Sequence, residues 1–139
     1  MNPKRLLIAI AAAFLLITVT DFLVHGLWLG PVYKATHELW RSDAEMTSLL
    51  GWMYGAQLLC AATFVLLWAR GFAQNATIPC GILFGLFMGL FSQVHTLIMY
   101  VVVPMPGTLA AEWFVSGLGQ GVALGVLTFF VYKPAPSGK

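Results

Sequence analysis

Four apolar runs divide the chain, each long enough at about 20 residues to cross the hydrocarbon of a bilayer as a helix. The first extends from about Leu6 to Leu29 and should stop at Gly30-Pro31, a pair that punctuates helices. The second runs from about Asp43 to Ala69. It opens on Ser42-Asp43-Ala44-Glu45, a capping box in which the Ser and Glu side chains satisfy free backbone donors. The third starts at Pro79, tolerated in a first helical turn, and reaches residue 103 before Pro104-Met105-Pro106-Gly107. The fourth spans about Leu109 to Tyr132, with a short polar tail after it. The pattern predicts one all-α domain, a polytopic four-helix membrane bundle. Between the first two runs, Val32, Tyr33, Leu39 and Trp40 alternate with Lys34, His37, Glu38 and Arg41. That mixture suits a short interfacial helix anchored by Tyr33 and Trp40.

Composition sharpens the class. The chain is 60% hydrophobic and 9% charged, whereas soluble domains are near one-quarter charged, so a water-soluble globule is excluded and the lipid bilayer is the first partner. A net charge of +2 on scattered bases excludes nucleic acid. Cys60 and Cys80 form no CxxC pair, which argues against a disulfide framework, a thiol redox motif or a zinc ribbon; both read as buried small apolar residues. Lys4-Arg5 before Leu6–Val19 imitates a signal peptide, but Thr20-Asp21-Phe22-Leu23 follows instead of a cleavage site, so an uncleaved first helix is expected.

Loop charge sets the expected orientation. Lys4, Arg5, Arg70, Lys133 and Lys139 fall on one side and Lys34 and Arg41 on the other, which puts both termini in the cytoplasm. Trp28, Tyr33, Trp40, Trp52 and Trp113 would then form an outer aromatic belt, with Trp68 and Tyr132 at the inner edge. Asn75-Ala76-Thr77 matches a glycosylation sequon but falls in a cytoplasmic loop on this reading.

Two further patterns bear on packing. Val24-His25-Gly26-Leu27 echoes Val94-His95-Thr96-Leu97, and the stretch from Ala56-Gln57 echoes that from Gly119-Gln120, so two parallel two-helix repeats are conceivable. Gly81, Gly85 and Gly89 are spaced by four, as are Gly117, Gly121 and Gly125. Such stripes let helix backbones approach where lipid removes the hydrophobic drive for association. They serve either packing of the third helix on the fourth, or a homo-oligomer or a seat in a larger membrane complex.

Candidate chemistry rests on six polar side chains inside the spans: Asp21, His25, Gln57, Gln93, His95 and Gln120. At 1.5 Å per residue they lie roughly 7 to 18 Å deep, in the outer half of the bundle. Ionisable groups at membrane depth are costly and often mark a site. Asp21 and His25, four apart, share a helical face. Three readings follow. The six groups hydrogen-bond helices together; or His25 and His95 hold a haem iron or divalent metal, with Asp21 orienting His25; or Asp21 and His25 form a relay for a proton-coupled small-solute transporter. No third ligand at metal spacing accompanies the two histidines. In the outer loop His37, Glu38, Trp40 and Arg41 are candidates for a solvent-facing site, although His37 and Glu38, being adjacent, would not share a helical face.

Phosphate-loop, Ser-His-Asp and HExxH motifs are absent, so the leading expectation is a non-enzymatic protein, an accessory subunit or a small-ligand binder. Asp21-x-x-x-His25-Gly26, Leu39-Trp40-Arg41-Ser42-Asp43-Ala44-Glu45-Met46, and Gly85-Leu86 with Met88-Gly89-Leu90 carry a further hint. Across most of its length the chain resembles a group of small bacterial four-helix inner-membrane proteins with no assigned activity. The resemblance implies a bacterial cytoplasmic membrane and supplies neither substrate nor cofactor.

Overall fold

A computed structural model describes residues 2–74 and 76–132. Asn75 of the sequon and the polar tail from Lys133 lie outside the described residues. Helices account for nearly all of what is described, with no strand among those residues. They are α1 (Pro3–Asp21), a π-helical segment (Phe22–Trp28), α2 (Gly30–Ala35), a 3-10 turn (His37–Leu39), α3 (Asp43–Ser48), α4 (Leu50–Gly71), α5 (Ile78–Val102) and α6 (Gly107–Val131). Among the described residues four helices are long and apolar enough to cross a membrane: Pro3–Trp28, Leu50–Gly71, Ile78–Val102 and Gly107–Val131. Large apolar side chains such as Leu7, Leu15, Leu59, Phe87, Phe91 and Val101 cover the outer surface, as a lipid-facing surface requires.

Helix α5 packs most intimately on α6, α1 lies between α4 and α6, and α4 and α5 meet only sparsely. The α5–α6 pair runs antiparallel, with Gly81 beside Gly125 and Gly85 beside Gly121. A Cβ on Gly121 would stand 2.7 Å from the Gly85 carbonyl oxygen, and one on Gly85 would collide with the Gly121 carbonyl, so both positions exclude any larger residue at this separation. Gly89 abuts Leu118. Gly117 serves differently: the carboxamide of Gln93 occupies the space that a side chain there would need.

Two apolar clusters cap the bundle. Near the chain termini, Ala9, Ala13 and Ile17 pack with Ala61, Phe64, Val65, Trp68, Phe84 and Leu124. At the opposite, distal end, Leu29, Met105, Leu109 and Ala110 are buried beneath Tyr33, Trp40 and Trp113. The polar side chains lie between these clusters.

Several sequence expectations need correction. The second span is not one helix from Asp43: it breaks at Leu49, so that α3 and α4 are separate. The predicted capping box does start α3, with the Ser42 N–H donating to Glu45 Oε2 at 3.0 Å and the Glu45 N–H to Ser42 Oγ at 3.4 Å. The first span does not remain α-helical to Leu29. Its last two turns widen into the π segment, and the Leu29 N–H reaches back five residues to the Val24 carbonyl at 2.8 Å. Pro31, two residues on, has no N–H to donate and its ring crowds the preceding turn, which favours such a widening. Trp68, expected at an interface, is 1% exposed in the core, and Tyr132 is buried with it. Cys60 and Cys80 are both on exposed faces rather than buried.

Candidate functional site: a polar layer between two apolar caps

The centre of the polar layer is Asp21, at the last turn of α1. Its Oδ2 accepts from Gln57 Nε2 of α4 at 2.7 Å, and its Oδ1 accepts from Gln120 Nε2 of α6 at 2.7 Å. The two amides are oriented by their other contacts. Gln57 Oε1 accepts from Thr18 Oγ1 at 3.1 Å, which turns its NH2 group toward Asp21. The Thr20 hydroxyl donates to the carbonyls of Leu16 and Ile17, so its oxygen is free to accept from Gln120 Nε2. One carboxylate therefore gathers α1, α4 and α6, and both of its oxygens act as acceptors. No Lys, Arg or His stands within ion-pair distance of it among the described residues.

Beside Asp21 lies a cavity of about 300 Å³ walled by Thr20, Asp21, Val24 and His25 of the first span, Gln93 and Thr96 of α5, and Trp113, Ser116 and Gln120 of α6. Gln93 is held by Thr96, whose hydroxyl donates to Gln93 Oε1 at 2.6 Å, and it rests on Gly117. Five of the six intramembrane candidates thus share one layer: Asp21, Gln57 and Gln120 as a hydrogen-bonded unit, His25 and Gln93 across the cavity. His95 is the exception. It is exposed on α5 and lies outside both cavities that His25 lines.

His25 is not oriented by Asp21. The wider turn beginning at Phe22 carries the imidazole toward α2, where Nδ1 lies 2.6 Å from the Tyr33 hydroxyl. That hydroxyl also accepts from Trp113 Nε1 at 2.7 Å. The Tyr33 hydroxyl thus links the His25 imidazole of the first span to the Trp113 indole of α6. The three rings also pack: His25 stacks on Tyr33 at 6.1 Å and meets Trp113 edge-on at 5.9 Å. Trp40 completes the cluster, 5.5 Å from Tyr33 and 5.9 Å from Trp113, with its Nε1–H donating to Thr36 Oγ1. Of the residues expected in an outer belt, Tyr33, Trp40 and Trp113 pack on one another, half-buried at the distal end, while Trp28 and Trp52 are exposed. Burial raises the Tyr33 phenol above its ordinary pKa, partly offset by the Trp113 hydrogen bond.

On the distal side of this cluster a second cavity, about 470 Å³, is lined by Lys34, His37, Arg41, Asp43 and Met46 together with Tyr33, Trp40, His25 and Trp113. His25 and Trp113 belong to both cavities and form the wall between them. Of the outer-loop candidates, His37, Trp40 and Arg41 line this vestibule and Glu38 does not. His37 and Glu38, on the 3-10 turn, nevertheless meet, Nδ1 to Oε2 at 3.5 Å. Sequence reasoning missed Tyr33 and Trp113 as parts of the site, along with Thr18, Thr20, Thr96 and Ser116. No spacing rule joins Tyr33 to Trp113, which lie 80 positions apart.

Among the described residues no group of three or more His, Cys, Asp or Glu side chains is arranged to hold a metal ion. What the layer offers chemically is a carboxylate, the two carboxamides of Gln93 and Gln120, an imidazole and hydroxyls around a space the size of a small organic molecule. Comparison with protein-family models, with curated proteins and with solved structures found no match.

Proposed function

We propose that this is a small multi-pass membrane protein that binds a small cationic or hydrogen-bond-donating solute within its bundle, with Asp21 as the binding group. The observation that carries the reading is the uncompensated carboxylate: Asp21 has two amide donors, no counter-cation within ion-pair distance among the described residues, and a cavity of about 300 Å³ at its side. A charge at membrane depth is retained at a cost, and a cationic ligand would offset it. The charge bias of the loops supports a placement with both termini in the cytoplasm, so that the vestibule opens on the far side. The resemblance noted above supports the inner membrane of a bacterium as the location. The paired glycines of α5 and α6 act, on this view, as a packing zipper that holds Gln93 and Gln120 at one depth.

The test is calorimetry on protein in lipid nanodiscs with methylammonium, tetramethylammonium and neutral amides of matching size. Binding of the cations that is lost in Asp21→Asn supports the proposal. Equal binding of neutral and cationic probes, or cation binding that survives Asp21→Asn, contradicts it.

Proton-coupled transport is a second reading, favoured by the shared wall of His25 and Trp113 between vestibule and inner cavity. In proteoliposomes it requires cation uptake that depends on a pH gradient and disappears in Asp21→Asn. A bis-histidine haem or metal centre lacks comparable support, since His25 and His95 line no common cavity.

A further inference from the structure

The sparse meeting of α4 and α5 leaves a groove between them, about 390 Å³ in volume, with α6 as its floor. Its origin is visible in the aromatic contacts. Phe84 of α5 packs on Phe64 at 4.8 Å and also on Trp68 and Phe72, which closes the two helices together only toward the chain termini. Distal to Phe64 the helices part, since α5 follows α6 and α4 follows α1. The walls are apolar: Leu59, Phe64, Met88, Phe91 and Leu124. The mouth opens on the lipid-facing surface, where Leu59 is 68% and Phe91 79% exposed.

This groove adjoins the polar site. Gly117 and Gln120 belong to the walls of both the groove and the Asp21 cavity, and Gln120 is the residue that donates to Asp21. A charged end and an apolar channel thus meet at one side chain. Small solutes that enter from water have no use for the second half of that arrangement.

We propose that the ligand is an amphiphilic organic cation, its ammonium head at Asp21 and its hydrocarbon tail in the α4–α5 groove, admitted sideways from the membrane. The proposal rests on the assignment of Asp21 as a cation-binding group. Charge complementarity selects the head, and the adjacency of the two spaces across Gln120 selects a tail attached to it. A tail already dissolved in lipid gains less on entering the groove than one leaving water, where each methylene buried is worth roughly fourfold in affinity.

The test compares tetramethylammonium with butyl- and octyltrimethylammonium on nanodisc-embedded protein, with empty nanodiscs subtracted. The wild type should bind the octyl compound about tenfold or more tightly than tetramethylammonium. Ala56→Phe, which fills the groove from α4, should abolish that gain and leave tetramethylammonium binding unchanged. As an independent readout, octyltrimethylammonium should slow alkylation of Cys60, in the groove wall, and leave Cys80 in the same molecules unaffected. Three results would overturn the proposal while leaving the cation site standing: no dependence on chain length, a gain that persists in Ala56→Phe, or equal Cys60 protection by octanol. Absence of any Asp21-dependent cation binding would instead remove the cation site, and this proposal with it.

Discussion

Asp21 and Gln57 are 36 positions apart in the chain and 2.7 Å apart in the bundle, Nε2 to Oδ2. Gln57 is 8% exposed, so replacing its amide withdraws a donor that water cannot readily supply. Gln57→Leu should lower stability by about 1–2 kcal/mol in detergent-mediated unfolding, the upper part of the range for interhelical hydrogen bonds. In a double-mutant cycle with Asp21→Asn the two losses should be less than additive. Full additivity would mean that the pair is not coupled.

Glycine positions separate by what surrounds them. A Cβ on Gly85 meets the backbone of Gly121 and Val122, whereas one on Gly55 meets nothing within 4 Å. Gly85→Ala should therefore destabilise by about 1–3 kcal/mol through forced separation of α5 and α6, and Gly85→Leu by more. Gly55→Ala should be neutral or stabilising by up to about 1 kcal/mol. Unfolding of the two variants side by side checks this, and equal effects would argue against the close approach.

The Tyr33 phenol is shared by His25 and Trp113 and is shifted upward by burial. A phenol with a raised folded-state pKa contributes stability that is complete below its ordinary value of 10.0 and is lost as pH climbs through the folded value. Ultraviolet titration should show one late-ionising tyrosine, absent in Tyr33→Phe, together with loss of distal-end structure on the alkaline side. A variant that titrates like the wild type would contradict the assignment.

Glu45 behaves in the opposite sense. Its hydrogen bonds from the side chain and backbone of Ser42 hold its pKa below the ordinary 4.5. The stability it contributes is present above 4.5 and is lost as pH falls through the lowered value. Hydrogen-exchange protection of the α3 amides should therefore drop on acidification. Ser42→Ala should reduce protection at neutral pH and remove most of that acid-dependent step.

The four long apolar helices were legible in the chain because such helices announce themselves by length and apolar content, and punctuation at Gly30-Pro31 and Pro104 marks two of their ends, whereas Ser42 starts the separate α3. That Asp21, Gln57, Gln93 and Gln120 share one level of the bundle was legible for the same reason: position along a helix translates directly into height. What the residues did not disclose was rotation about each helix axis. Gln93 turned inward because Gly117 left room for it, while His95, two residues on, turned out. The π segment was equally hidden, and with it the contact of His25 with Tyr33. The packing of Tyr33, Trp40 and Trp113 on one another was hidden too, since no spacing rule joins rings from α2, the outer loop and α6.

The role of Asp21 is tested most directly by infrared difference spectroscopy of the nanodisc-embedded protein with and without tetramethylammonium. A cation held at Asp21 should perturb carboxylate bands in the wild type, and those bands should vanish in Asp21→Asn while the amide bands stay the same. A difference spectrum without carboxylate bands, or one that is unchanged by the substitution, would show that the bundle does not use Asp21 to bind a cation.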